Sequence, residues 1–157
     1  MKSIEGNFDN LEVNELLKKH FVELRSVSPS GSTHVLDING LKDKSIKFWS
    51  LWENDKLIGC GALKLLESDH GEFKSIRVAD KYRGKNYGTK IIRYLIEEAK
   101  KLKIKKISVE TGSGDFFVSA RKLFSSFGFK KFDFEPCKPF AHYKEDPNSC
   151  YYTKNIV

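Results

Sequence analysis

The sequence predicts an α/β fold in which a mixed sheet carries helices on both faces. Three observations lead there. Two short strand-like apolar runs flank a turn pair. A third strand-like run passes through a glycine-bearing loop directly into a stretch of helical period, and a second strand-to-helix succession follows before two last strand-like runs. At 157 residues, with 39% hydrophobic and 31% charged, the chain is expected to form a single domain over residues 1–157. A chain of this size buries roughly 70% of the surface its unfolded form exposes.

Taken in order, a strand ahead of Leu11 is left open. From Leu11 to Leu24, the residues Leu11, Leu16, Leu17, His20, Phe21 and Leu24 gather mostly on one face, with Glu12, Glu15, Lys18, Lys19 and Glu23 opposite, which predicts an amphipathic helix. Ser26 to Ser32, with Pro29 and Gly31, ends it. His34 to Leu41 reads as either a short helix or a loop. Ile46 to Trp52 and Leu57 to Leu65 predict a β-hairpin, because the Asn54-Asp55 pair between them suits a tight turn. Ser68 to Gly71 predicts another turn, and Glu72 to Val78 a third strand. Beyond Ala79, the segment Lys81 to Gly88 is polar and glycine-bearing, after which Ile91, Ile92, Leu95, Ile96, Ala99 and Leu102 recur at helical spacing. Lys106 to Glu110 predicts a strand, and Phe117, Ala120, Leu123, Phe124 and Phe127 a helix stopped by Gly128. Phe129 to Phe134 and Cys150 to Ile156 predict the last two strands, joined by a Pro-containing segment.

Charge narrows the classes of partner. With 28 Lys+Arg against 21 Asp+Glu the net charge is +7, and it is uneven: residues 1–40 balance to −2, whereas residues 81–131 hold fourteen bases and four acids, for +10. An anionic ligand is expected to meet that later segment. No apolar run approaches the roughly 18 residues of a membrane span, and Met1 to Glu5 hold no signal-peptide core, so a soluble, cytoplasmic protein is expected. Cys60, Cys137 and Cys150 are odd in number and far apart, and the four histidines are scattered; neither a disulfide framework nor a metal site is expected.

The most informative segment is Arg83-Gly84-Lys85-Asn86-Tyr87-Gly88-Thr89, a strand-to-helix loop. Glycines let the backbone come close to a ligand, and the first N–H groups of the following helix point outward with the positive end of its dipole behind them. Such a loop suits a diphosphate; its plain structural reading is a basic surface turn. The nucleotide-triphosphate loop does not fit, since no lysine is followed by a hydroxyl residue. The dinucleotide fingerprint fails for want of a third glycine.

Arg83 to Gly88 at the head of a helix resembles the coenzyme A pyrophosphate loop, Arg/Gln-x-x-Gly-x-Gly/Ala, of the GCN5-related N-acetyltransferase family, and the resemblance runs from Ile46 to Phe129. Glu72 to Val78 is similar to the family's fourth strand, and Ala120 to Phe129 to its A-x-x-L-Y-x-x-x-G-F helix and strand. The tail, Pro139-Phe140-Ala141-His142-Tyr143 followed by Asp146-Pro147-Asn148-Ser149, resembles a bacterial subgroup of mostly unassigned small acyltransferases.

The resemblance implies a mostly antiparallel central sheet, an N-acetyltransferase activity, acetyl-CoA as co-substrate and direct attack of a small-molecule or peptide amine on the thioester. It implies no metal, nucleic acid or membrane, and a monomer or homodimer. It assigns coenzyme binding to Ile76, Arg77 and Val78, with the Ile76 N–H polarising the thioester carbonyl, to Arg83, Gly84, Lys85, Asn86, Tyr87, Gly88 and Thr89 in the loop, and to Phe124 beyond, while Arg121 reads either as a further coenzyme contact, to a phosphate, or as a solvated helix residue.

Departures from the family pattern matter as well. Asn86 stands where the loop usually has its first glycine, though Asn tolerates left-handed backbone. Phe117 replaces an asparagine that often touches the coenzyme. Phe124 replaces a tyrosine that protonates the departing thiolate, and phenylalanine has no proton to give.

An alkyl amine must lose a proton before it attacks. Glu72 is the first candidate base, at a position the histone-acetylating branch of the family uses; its structural reading is a sheet glutamate paired with Lys74 or Arg77. Alternation is expected to place Glu72, Lys74, Ile76 and Val78 on one face. Glu110 is a second candidate, and Tyr143 or His142 in the tail a source of the missing proton, or simply loop residues. Phe48, Trp49, Trp52 and Tyr151 read as core more than as an acceptor pocket. Two rival readings stay open: a catalytically idle CoA-binding relative, and a basic nucleic-acid-binding module suggested by Lys100, Lys101, Lys103, Lys105 and Lys106.

Overall fold

The computed structural model of the chain describes residues 1–29, 35–132, 146 and 148–156. Among them, one seven-stranded sheet runs in the order β1 (Lys2–Glu5), β2 (Ile46–Glu53), β3 (Lys56–Glu67), β4 (His70–Val78), β5 (Lys106–Gly112), β7 (Ser149–Asn155) and β6 (Lys130–Phe132). Neighbours are antiparallel except β4 and β5, which are parallel. Helices α1 (Leu11–Val27) and α2 (Ile38–Leu41) cover one face, and α3 (Tyr87–Lys101) and α4 (Val118–Ser126) the other. This is the mixed, mostly antiparallel sheet the sequence implied.

Local chemistry accounts for the boundaries. Asn54 and Asp55 both take left-handed backbone, with φ of 52° and 60°, the conformation a two-residue hairpin turn needs. Asn10 caps α1 by accepting the Val13 N–H, and α1 runs three residues past Leu24. The open element ahead of Leu11 is β1, an edge strand paired with β2. The turn expected over Ser68 to Gly71 is tighter, so that β4 begins at His70, whose Nε2 lies 2.7 Å from Ser108 Oγ of β5. Of the strand expected over Phe129 to Phe134, Lys130–Phe132 is formed and residues 133–134 lie outside the described set.

Two cores flank the sheet. Ile91, Ile92, Leu95 and Ala99 of α3 pack with Leu63, Phe73, Ile107, Val109 and Phe124; Val13, Leu16 and Leu17 of α1 pack with Leu41, Phe48, Trp52, Cys60 and Ala62. α3 lies so close to β3 that a Cβ on Gly61 would fall 2.6 Å from Leu95 Cδ1.

One irregularity decides the geometry of the site. Cys60 pairs with Arg77 but Ala62 with Lys74, so β4 spends Ser75 and Ile76 opposite Gly61 alone. Ser75 adopts φ of 51°, and its carbonyl accepts the Cys60 thiol at 3.3 Å. This bulge overturns the expected alternation. Lys74 stands opposite Ala62 on the α1 face with Glu72, and Arg77 also turns to α1, whereas Phe73, Ile76 and Val78 pack toward α3 and α4. The extra residue moves Ile76 and Val78 to the face opposite Glu72 and Lys74.

Candidate active site

The β4–β5 ladder runs from His70↔Lys106 to Phe73↔Val109 and stops there, just before the bulge. Past that point the two strands diverge and leave a cleft of about 800 Å³, lined by both strand ends, α1, the loop before α3, and α4. Ser75 Oγ, on the cleft lining, is buried with no hydrogen-bond partner among the described residues.

Beyond β4 the chain makes a 3₁₀ turn at Asp80–Tyr82 and enters the glycine loop. Gly84 and Asn86 take φ of 74° and 65°, so Asn86 adopts at the loop's first-glycine position the left-handed backbone a glycine would take. A Cβ on Gly84 would meet nothing within 4 Å. Asn86 makes no side-chain cap, and the first helical bond of α3 is Lys90 N–H to Asn86 C=O at 3.4 Å. The N–H groups of Tyr87, Gly88 and Thr89 therefore have no acceptor within the helix, and the dipole adds partial positive charge where they point. Gly88 serves a different need, since a Cβ there would lie 2.9 Å from Leu123 Cδ2 of α4 and force that side chain to shift. Tyr87 is turned aside, its hydroxyl donating to Glu53 Oε1 at 2.9 Å.

The expected site residues divide. Glu72, Ile76, Arg77, Val78, Glu110 and Phe124 line the cleft together with Arg83, Gly84, Asn86, Tyr87, Gly88 and Thr89; Lys85 and Arg121 fall outside the lining. Arg121 donates instead to the carbonyls of Gly112 and Gly114, both at 2.8 Å, and so fixes the turn between β5 and α4. Tyr143, His142 and most of the tail motif lie outside the described residues.

Glu72 is 1% exposed, with Lys74 Nζ 2.8 Å from its Oε1. Burial pushes its carboxyl above the ordinary value, the Lys74 ammonium opposes the shift, and the charge of Glu110 adds to it. Glu110 stands one residue beyond the last β4–β5 pair and opposite Tyr151 of β7. Burial, with Glu110 close by, pushes the Tyr151 phenol up to about 12, although its oxygen accepts the Asp146 N–H at 2.8 Å.

A charged lattice between α1 and the end of β4 went unnoticed in the sequence. The Arg77 guanidinium, on a residue 4% exposed, lies 3.2 Å from Glu23 Oε2 and 3.3 Å from Asp80 Oδ1, with NH1 3.4 Å from His20 Nδ1. Arg83 reaches Glu23 and Asp80 at 3.4 Å each, and Lys19 pairs with Asp80. Burial and the neighbouring Arg77 charge lower the His20 pKa to about 4. For Glu23, burial opposes ionisation, but its bonds to Arg77 and Arg83 outweigh that and hold the carboxyl below its ordinary value. The lattice fixes the glycine loop to α1, yet the pairs that reach α1 span 54 to 61 residues of sequence, too far for any local signal.

Residues 11–129 match the model of the acetyltransferase (GNAT) family. The chain is 43% identical over 145 residues to YsnE of Bacillus subtilis (strain 168), an uncharacterized N-acetyltransferase, covering 92% of this chain and 93% of that protein. It is 36% identical over 137 residues to YedL of Escherichia coli (strain K12), another uncharacterized N-acetyltransferase, covering 87% and 83%. A Bacillus subtilis acetyltransferase solved in complex with CoA superposes with a TM-score of 0.70 at 19% identity, over 99% of both chains, a likeness of fold.

Proposed function

The chain belongs to the acetyltransferase (GNAT) family, and on that premise we propose that it transfers the acetyl group of acetyl-CoA to a primary amine by direct attack. The observation that carries the proposal is a single cleft joining an anion-ready helix start to the β4–β5 opening. The residues present suit this co-substrate: the space over Gly84 and the outward N–H groups of Tyr87, Gly88 and Thr89 fit a diphosphate, and the β4 edge past Phe73 is free of strand pairing for an extended arm.

Acetyl-CoA supplies the thioester. The amine nitrogen bonds to the acetyl carbon as the C–S bond breaks, sulfur keeps the electron pair, and the proton shed by nitrogen leaves an amide and the free thiol in balance. Within the chain, backbone N–H groups at Ile76 and Val78 are the donors for the arm and the polarised carbonyl oxygen. Glu72, enclosed and with its carboxyl raised, takes up the proton through water, with Glu110 on the same face as its alternative. Phe124 sits in the core against Phe129 and Tyr152, so the thiolate is protonated by water or by Tyr143 of the tail. Neither an idle coenzyme-binding relative nor a nucleic-acid module is favoured. Among the described residues no helix is long and apolar enough to cross a membrane, and a cytoplasmic setting belongs to the same reading.

A thermal-shift titration tests it. Acetyl-CoA at a hundred times its Kd stabilises by about 2.7 kcal/mol, or about 5–10 °C for a chain of this length. Gly84→Val, which fills the open space and strains the loop, is expected to lose that shift, and added salt to weaken it. Absence of any shift in the parent, or an unchanged one in Gly84→Val, would contradict the proposal.

A further inference from the structure

β4 divides the cleft in two. Ile76, Val78 and the glycine loop bound the side toward α3 and α4, whereas Glu72, Lys74 and Arg77 turn toward α1. On that second side α1 carries more apolar surface than the core uses. Val13, Leu17 and His20 are buried against the sheet, and the same helical stripe, continued at spacings of four and three residues, brings Leu24 and Val27 to the cleft lining. Pro29, Val35 and Leu36 extend this wall. Leu24 is half-buried and Val27 is 39% exposed, so both have surface to give to a ligand.

Among the described residues, the cations that line this side are already engaged. Lys74 is paired with Glu72 at 2.8 Å, Arg77 with Glu23 at 3.2 Å and Asp80 at 3.3 Å, and His20, with its pKa near 4, is uncharged at pH 7. An acceptor bearing a carboxylate would have to break one of these pairs to take its counter-charge from them. A second ammonium would be laid against the hydrocarbon of Leu24 and Val27.

Resting on the acetyl-transfer reading above, we propose that the acceptor is a primary amine carried on an apolar body that bears neither a carboxylate nor a second ammonium. Its amine end lies by the carboxyls of Glu72 and Glu110, and its body lies along the α1 wall. Leu24 and Val27 are the residues that set this preference.

The test compares acceptors of matched length with acetyl-CoA and a free-thiol readout. Hexylamine is expected to exceed both 6-aminohexanoate and 1,6-diaminohexane in kcat/KM by about tenfold or more. From propylamine to hexylamine, kcat/KM is expected to rise up to about fourfold per methylene, the scale of burying one CH₂. Leu24→Asn and Val27→Asn, at positions with solvent exposure, are expected to flatten that rise while the acetyl-CoA Kd stays within about twofold. Equal or better use of 6-aminohexanoate or the diamine, or a chain-length series unaltered in both variants, would overturn the proposal. If acetyl-CoA binds and the charged acceptors are preferred, the acceptor class alone is wrong; if acetyl-CoA does not bind, the acetyl-transfer reading falls and takes the proposal with it.

Discussion

His20 makes stability depend on pH in a way that can be worked out from its surroundings. It is 6% exposed beneath the cleft, with Arg77 NH1 3.4 Å from Nδ1, and its pKa is lowered from 6.5 to about 4. Because the folded-state value lies below the unfolded one, the unfolded chain takes up the proton first. The stability is therefore whole above pH 6.5 and is lost as the pH falls toward 4. A difference of 2.5 units between the two values sets a ceiling of about 3 kcal/mol, of which about 2 kcal/mol is lost by pH 5. Urea unfolding at a series of pH values from 7.5 to 5 measures this directly. His20→Gln is the comparison, since its amide oxygen can accept from Arg77 and does not titrate. His70, also lowered by burial, bends the curve in the same direction in both proteins and cancels in the difference. The parent is expected to lose about 2 kcal/mol relative to His20→Gln across that range. Parallel curves would mean that His20 is free to protonate in the folded chain, and that the α1 lattice is looser than its distances indicate.

Two further perturbations probe the loop and the base. Asn86→Gly, at φ of 65°, is expected to leave stability and acetyl-CoA affinity nearly unchanged, whereas Asn86→Val costs about 1–2 kcal/mol and weakens binding; equal behaviour of the two in chemical unfolding and titration would remove the left-handed requirement. Glu72→Gln is expected to lower turnover about 10²-fold with acetyl-CoA affinity kept, and to move the acidic limb of the pH–rate profile, which Glu72 places above the ordinary carboxylate value. An unaltered profile would transfer the role to Glu110 or to solvent.

What the sequence made legible followed from local rules. Asn54-Asp55 announced its hairpin because few residues accept two successive left-handed positions, and the α3 stripe from Ile91 to Leu102 announced its helix because six apolar positions kept the period. The glycine loop was legible from composition as a strand-to-helix turn, and as a coenzyme loop only through the family resemblance. The bulge was not. Ser75 carries no signature of left-handed backbone, and without it alternation put Ile76 and Val78 on the face of Glu72. The lattice of His20, Glu23, Arg77, Asp80 and Arg83 was hidden because the sequence puts His20 and Glu23 on a helix and assigns Arg77 and Arg83 to the coenzyme, and nothing local ties the two groups together. A usable signal for the proposed acceptor wall was present, since Val13, Leu17, His20, Leu24 and Val27 recur at alternating spacings of four and three residues, and it was obscured by ending the helix at Leu24.

The measurement that bears most directly on acetyl transfer at the β4–β5 opening is release of CoA thiol from acetyl-CoA by the purified chain, followed with and without a primary amine, with the acylated amine quantified alongside. Thiol is expected to appear only when amine is present, in one-to-one ratio with amide, and to fall about 10²-fold in Glu72→Gln. Thiol release that proceeds at the same rate without amine, or with no amide formed, would contradict it.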